Sequence, residues 1–295
     1  MNCPYNQKHI SKILYKSNKT NNHAINVNCT SLDYVKPTLF KCEECDLIFS
    51  ELYNSPLESN YSEVVDTVYI DQIKSKKKYF QLVISKIEEY LTKESNVLEI
   101  GSYYGVLGSL LKPRVKEYNG IELSKHGADF SKKNFNLKIY NDKFENYIKF
   151  KSSIDVIIMS HVIEHLGNPF QIIKLIEQKM NLKSTLIFST YNMDSFIARI
   201  LGYNYQWIMP MHLYYFSRKT LKKILQDNNL KIVKIKQDVH IVSLKYFFLK
   251  LSALVPLIGS LFLFMSKIKI FGKFNIKINL GDLDIYFVKK NKIIP

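Results

Sequence analysis

From Val97 to Thr190 the chain alternates short, largely apolar runs with helical segments, and few folds accommodate that order. The apolar runs fall at 97–100, 118–123, 137–140, 154–160 and 186–190. Strands with so little polar content need cover on both faces. The segments between them supply it. Helices are expected over 105–111, stopped near Pro113, over 127–134, and over 169–180, where Pro169 suits a first turn. Another is expected over 71–91, because Ile73, Phe80, Val83, Ile84, Ile87 and Leu91 share one face. A helix at 217–227 and strands at 231–235 and 284–289 complete the pattern. The expectation is an α/β fold with a Rossmann-like, doubly wound, mostly parallel sheet.

Such sheets bind ligands beyond the carboxyl ends of their strands. The first strand runs into VLEIGSYYG at 97–105. Gly101 would let the backbone approach a ligand, and Gly105 would let the next helix pack closely. The spacing is not G-x-G-x-x-G, and Tyr103 stands where a glycine would help a pyrophosphate. Glu99, at the strand end, would repel a pyrophosphate but attract an ammonium. Glu122 ends the next strand, about twenty residues past the loop, where a carboxylate suits a ribose diol. Ribose plus ammonium without pyrophosphate points to S-adenosylmethionine rather than a nicotinamide dinucleotide. An oxidoreductase is therefore the weaker enzyme reading, and a binding protein without turnover is the alternative from another class.

VLEIGSYYG, GIEL, IDVIIMSHVIEHLGNP and STYN, followed by MHLYYFS and LKKILQDNNLKIV, keep the order and spacing of a known family. In these motifs the chain resembles the class I S-adenosylmethionine-dependent methyltransferases, in particular a bacterial subgroup acting on small molecules and on sugar or lipid intermediates. The resemblance implies that Glu99, Gly101, Ser102, Tyr103 and Gly105 shape the methionine end of the cofactor site. It implies that Glu122 holds the ribose and Leu123 flanks adenine. Asp142 would face the adenine amino group, with Asn141 as its competitor. Ser160 and His161 would line the cofactor. The implied acceptor is a sugar, glycolipid precursor or related metabolite, methylated on oxygen or carbon.

His161-Val-Ile-Glu164-His165 also reads as H-x-x-E-H, an inverted zinc-protease pattern. That pattern needs one long helix, whereas here a strand precedes it and Gly167-Asn168-Pro169 breaks the chain directly after. In the family reading Glu164 and His165 sit at the mouth of the site. His165 is a candidate general base, with Glu164 orienting it, or both ligate a divalent ion. The alternative is that they tie the loop to backbone groups. The aromatic segment 191–216 carries Tyr203, Tyr205, Trp207, Tyr214 and Tyr215 and reads as a lid over the acceptor. His212, within it, is a second candidate base.

All four cysteines lie in the first 45 residues: Cys3, Cys29, Cys42 and Cys45. Cys42 and Cys45 form a C-x-x-C, a turn that places two thiolates on one zinc. Cys3 begins a similar frame, but Asn6 occupies its second position. Either His9 or Cys29 would be the fourth ligand. The segment is similar to the zinc-binding N-terminus that precedes some of these methyltransferases, sugar C-methyltransferases included. The expected organisation is a small zinc-ribbon-like module over 1–60, without sustained periodicity, and a methyltransferase domain over 71–295.

One insertion is unusual. Residues 246–265 are nearly all apolar and lie between strands that should pair, with Pro256 and Gly259 breaking the run. A two-part helical hairpin is expected, packed on the sheet edge or touching a membrane surface. No apolar leader opens the sequence, so a cytoplasmic location is expected, membrane association aside. The net charge of +16 is spread along the chain, and no dense basic block points to nucleic acid.

Overall fold

The computed structural model describes residues 1–17, 35–55, 61–63, 65–147, 153–254, 258–272 and 274–291. Its strands are β1 (Ser11–Tyr15), β2 (Leu39–Cys42), β3 (Ile48–Ser50), β4 (Asn96–Ile100), β5 (Glu117–Ile121), β6 (Ile139–Tyr140) and β7 (Val156–Ser160). They continue as β8 (Thr185–Tyr191), β9 (Tyr214–Tyr215), β10 (Leu230–Gln237), β11 (His240–Ser243), β12 (Asn275–Ile278) and β13 (Leu283–Lys290).

The main sheet has the order β10-β13-β8-β7-β4-β5-β6. β4 is parallel to β5 and β7, and the parallel pairing continues to β6 and β8. Only β13 is reversed, antiparallel to both β8 and β10. The strand order turns around at β4, so the crevice past β4 and β7 is the switch point where such sheets take ligands.

Alternation along each strand feeds two cores. Leu98, Ile157, Met159, Leu186 and Phe188 join one, which also receives Ile172, Ile173 and Ile176 of helix Pro169–Lys179 and Leu221, Ile224 and Leu225 of helix Arg218–Gln226. Val97, Val156, Ile158 and Ile187 join the other, covered by Val83, Ile84 and Ile87 of helix Ile73–Ile87. Ile157 and Ile158 are adjacent yet buried in opposite layers. Truncating either to alanine would open a cavity costing about 2–5 kcal/mol. The α/β, mostly parallel architecture is thus the expected one, although the bounds differ: β8, β10 and β13 run past the expected 186–190, 231–235 and 284–289, while β5, β6 and β7 are shorter than expected. The expected helix at 71–91 is preceded by a short helix, Thr67–Asp71, and ends in a 3-10 turn at Glu88–Tyr90. The expected strand at 137–140 is a two-residue edge strand.

The N-terminal segment contains strands that its sequence pattern does not announce. β1, β2 and β3 form an antiparallel sheet whose fourth strand is β9, with Ile48 opposite Tyr215 and Phe49 opposite Tyr214. These strands are too short for a period of two to show, and their order comes from pairing and from Cys3, Cys42, Cys45, Leu47 and Phe49, which pack into the same core as Met159 and Phe188.

The apolar insertion forms helices Leu244–Leu254 and Gly259–Lys267, followed by a 3-10 turn at Lys269–Gly272. Pro256 lies outside the described residues. The hairpin leaves and returns through its own ladder, β11 against β12, so that β10 and β13 still pair, with Gln237 opposite Asp284. A Cβ on Gly259 would lie 2.6 Å from Ser252 O, so the helices meet closely there. Among the described residues no helix is long and apolar enough to cross a membrane.

Candidate active site

β4 ends in a loop whose backbone is largely left-handed. Gly101 has φ 73°, and a Cβ there would lie 2.5 Å from Val162 Cγ2. Gly105 has φ 69°, caps helix Val106–Leu111, and would press a Cβ to 2.6 Å from Ser131 Oγ. Tyr103, between them, has φ 46°, a conformation costing a non-glycine residue about 1–2 kcal/mol. Its contacts offset that cost. The Tyr103 N–H donates to Glu122 Oε2, its hydroxyl donates to Asp66 Oδ2 at 3.1 Å, and its ring stands edge-on to Tyr69 and Tyr104.

Glu122 follows β5 directly and is buried, its Oε1 accepting from the Ser124 N–H at 2.7 Å. Burial pushes its pKa up to about 7, against the pull of the Ser124 and Tyr103 amides. Glu99, buried in β4, accepts from the Tyr118 hydroxyl. Burial raises it to about 8, the neighbouring Glu122 charge adding to the effect. Two acids held above their usual range in one crevice favour a ligand that brings hydroxyl donors and positive charge. Glu99, Gly101, Ser102, Tyr103, Glu122, Leu123 and Asp142 all line one cavity of about 590 Å³, whereas Gly105 lies behind the loop. Asn141 is occupied elsewhere, its Nδ2 donating to the Glu122 and Leu123 carbonyls at 2.8 and 2.9 Å.

β7 delivers Ser160 and His161 to the same cavity. His161 has φ 54°, its N–H donates to Ser189 O, and its Nε2 lies 3.2 Å from the Tyr79 hydroxyl. That hydroxyl donates to Asp238 Oδ2 at 2.8 Å, so His161 Nε2 is the donor to Tyr79.

Beyond His161 the walls come from distant parts of the chain. Glu164 is buried, and Thr190 Oγ1 donates to its Oε2 at 3.1 Å. Burial alone would raise its pKa, but His161 and the imidazoles of His165 and His212 outweigh that and hold it at about 2. His165 Nδ1 is 2.9 Å from Met211 O and 3.1 Å from the Tyr61 hydroxyl. His212 Nδ1 is 2.8 Å from Trp207 O. Burial lowers both imidazoles, His212 to about 3. Their rings are 4.6 Å apart, and both line the cavity.

The lid is packed rather than open. Tyr205, Ile208, Met209, Leu213 and Phe216 are buried, and Tyr191 stacks on Trp207 at 4.3 Å. His240, stacked on Trp207, is held by Asp282 Oδ1 at 2.8 Å, and Asp282 also accepts from the Tyr205 hydroxyl at 2.7 Å. Tyr79 and His240 line the cavity although no sequence motif singles them out. Tyr79 merely precedes Phe80 on an amphipathic helix, and His240 opens a short ladder.

Away from this cavity, Cys3 Sγ lies 3.6 Å from Cys45 Sγ, and Cys42 Sγ lies 3.7 Å from His9 Nδ1. One ligand atom from each of Cys3, His9, Cys42 and Cys45 falls within 4.8 Å of the others. Cys29 lies outside the described residues. Asn6 approaches His9 Nε2 with its Nδ2 at 3.1 Å.

A reversed strand beside an otherwise parallel sheet, with a glycine loop and an acid at successive strand ends, defines the class I methyltransferases. The comparisons agree. The family described as "Methyltransferase domain" matches residues 73–235. The chain belongs to this family, and by family and fold it is an S-adenosylmethionine-dependent methyltransferase. Among solved structures it is similar to a SAM-dependent methyltransferase from Archaeoglobus fulgidus, with TM-score 0.53 and 20% identity over 77% of this chain and 100% of the other. It is also similar to a SAM-dependent methyltransferase from Thermotoga maritima, with TM-score 0.50 and 16% identity over 77% and 95% of the two chains. No curated protein matches the sequence.

Proposed function

We propose that this methyltransferase acts on a small acceptor, a sugar, glycolipid precursor or related metabolite, on oxygen or carbon. The carrying observation is that one cavity runs from Glu99 and Glu122 to His165, His212, Tyr191 and Trp207. In this reading two ribose hydroxyls donate to Glu122, and the ammonium lies by Glu99 and Gly101. Leu123 and Asp142 flank the adenine, and Ser160 and His161 line the cofactor toward its sulfur. The acceptor then meets the aromatic wall and the Glu164–His165–His212 group. Transfer is an in-line displacement: the acceptor atom bonds the methyl carbon as the sulfur leaves with the bonding pair. A hydroxyl acceptor also gives up its proton, and that group lies beside it. Calorimetry with S-adenosylhomocysteine tests the cofactor half, and binding of NADH in its place would overturn the reading. Incubating cell-extract fractions with methyl-labelled cofactor tests the acceptor half. Labelled protein or nucleic acid, or tight cofactor binding with no labelled product, would overturn it.

Zinc at Cys3, His9, Cys42 and Cys45 is part of the same proposal. Tetrahedral bonds of about 2.3 Å set ligand atoms about 3.7 Å apart. The 3.6 Å sulfur–sulfur and 3.7 Å sulfur–nitrogen separations suit this. The hairpin is assigned to a membrane surface. Leu261, Leu263, Phe264 and Ile270 are exposed near Lys267 and Lys269, while Lys245 and Leu249 reach the cavity. Sedimentation with anionic vesicles is expected, and its absence would leave the hairpin as packing.

A further inference from the structure

We propose that Glu164, His165 and His212 form a binding site for a first-row divalent cation on the acceptor side of the cavity. One ligand atom from each of the three lies within 4.8 Å of the others. The imidazole orientations are fixed from behind. A carbonyl can only accept, so His165 Nδ1 donates to Met211 O at 2.9 Å and His212 Nδ1 donates to Trp207 O at 2.8 Å. In neutral rings this leaves both lone pairs on Nε2. Carbonyl-held Nδ1 and a free Nε2 are how proteins present imidazole to a metal.

Glu164 supplies the charge. Its Oε2 is taken by Thr190 Oγ1, but its Oε1 is buried with no hydrogen-bond partner among the described residues. His161 Nδ1, the nearest side-chain neighbour, stays 3.6 Å away and is also without a hydrogen bond. A buried carboxylate oxygen left bare is costly, and a cation beside it removes that cost. Two nitrogens and one carboxylate suit zinc, iron(II) or cobalt(II) better than magnesium. His165 and His212 line the cavity while Glu164 lies behind them, so the remaining coordination positions would face the acceptor. Each Nε2 has one lone pair, so ligation displaces a direct base role. The cation would instead favour the deprotonated form of an acceptor hydroxyl, its proton passing to water. That role rests on the methyl-transfer reading, whereas the site itself does not.

Cobalt(II) titration of the full chain, stripped of metal beforehand, tests the site. Cobalt on the cysteines shows an intense thiolate charge-transfer band, and cobalt on imidazole and carboxylate does not. The full chain should take up a second, thiolate-free equivalent whose X-ray absorption shows two imidazoles. His212→Ala and Glu164→Gln should weaken that equivalent at least about 100-fold while S-adenosylhomocysteine affinity stays within about two-fold. No thiolate-free equivalent, or one without imidazole, overturns the proposal even if neither variant folds. So does a His212→Ala chain that binds the second equivalent unchanged. A second equivalent in a chain that binds no S-adenosylhomocysteine would keep the site and overturn the methyl-transfer reading.

Discussion

The two ends of the cavity are built differently. At the end where we propose the cofactor binds, the contacts come from consecutive strand ends, β4 and β5, and much of the work falls to the backbone: left-handed turns at Gly101 and Tyr103, and amides donating to Glu122. At the end where we propose the acceptor binds, the contacts are side chains from the end of β7 and the segment after it, the lid and the ladder before the hairpin, held by bonds such as His212 to Trp207 O and His240 to Asp282. Backbone sites are local in sequence and tolerate little change. Side-chain sites gather distant residues, and their removal should cost chemistry more than binding.

The sharpest break would come at Gly101. Gly101→Val places a β-branched residue at φ 73°, with its Cβ 2.5 Å from Val162, so S-adenosylhomocysteine binding should disappear from calorimetry. Retained binding would show that the loop can relax, and the contrast between ends would weaken. At the other end, His165→Ala should lower turnover about 100-fold or more with cofactor affinity nearly unchanged. Equal losses in both would make His165 a structural residue, and full activity alongside an inactive His212→Ala would move the chemistry into the lid. Glu122→Ala comes next, with a loss of roughly 1–3 kcal/mol in cofactor binding by calorimetry. An unchanged affinity would take the ribose away from Glu122.

The smallest effect is in pH. The folded protein holds Glu122 at about 7 and Glu99 at about 8, above the ordinary carboxylate value of 4.5. The folded state therefore binds more protons than the unfolded chain between 4.5 and these values, and cofactor-free stability should fall as pH rises through that window. Ribose donors prefer the ionised acid, so cofactor affinity should rise several-fold between pH 6 and 8. Thermal unfolding and calorimetry across that range check both, and Glu122→Gln should flatten the affinity profile.

The same contrast explains what could be read from the sequence. The parallel sheet was legible because each strand buries both faces, leaving compact apolar runs around Leu98, Ile157 and Ile187. The loop and Glu122 were legible because their spacing is local. β1–β3 were not, since pairing and cysteine packing rather than alternation order them. Tyr79 and His240 were hidden too. Their places in the cavity depend on where the helix before β4 and the ladder after β10 come to rest, and no short-range pattern records that.

The pairing of β3 with β9 carries a further consequence. The Ser50 N–H donates to Leu213 O, and the Leu213 N–H donates to Glu164 O at 2.8 Å. The cysteine segment is thus tied through the lid to the backbone of Glu164, while the Gly101 loop stands outside that line. An oxidant that unmade the cluster of Cys3, Cys42, Cys45 and His9 would loosen the proposed acceptor wall first. The protein would then go on binding cofactor while turnover faded, so its chemical ageing would be recorded at one end of the cavity and concealed at the other.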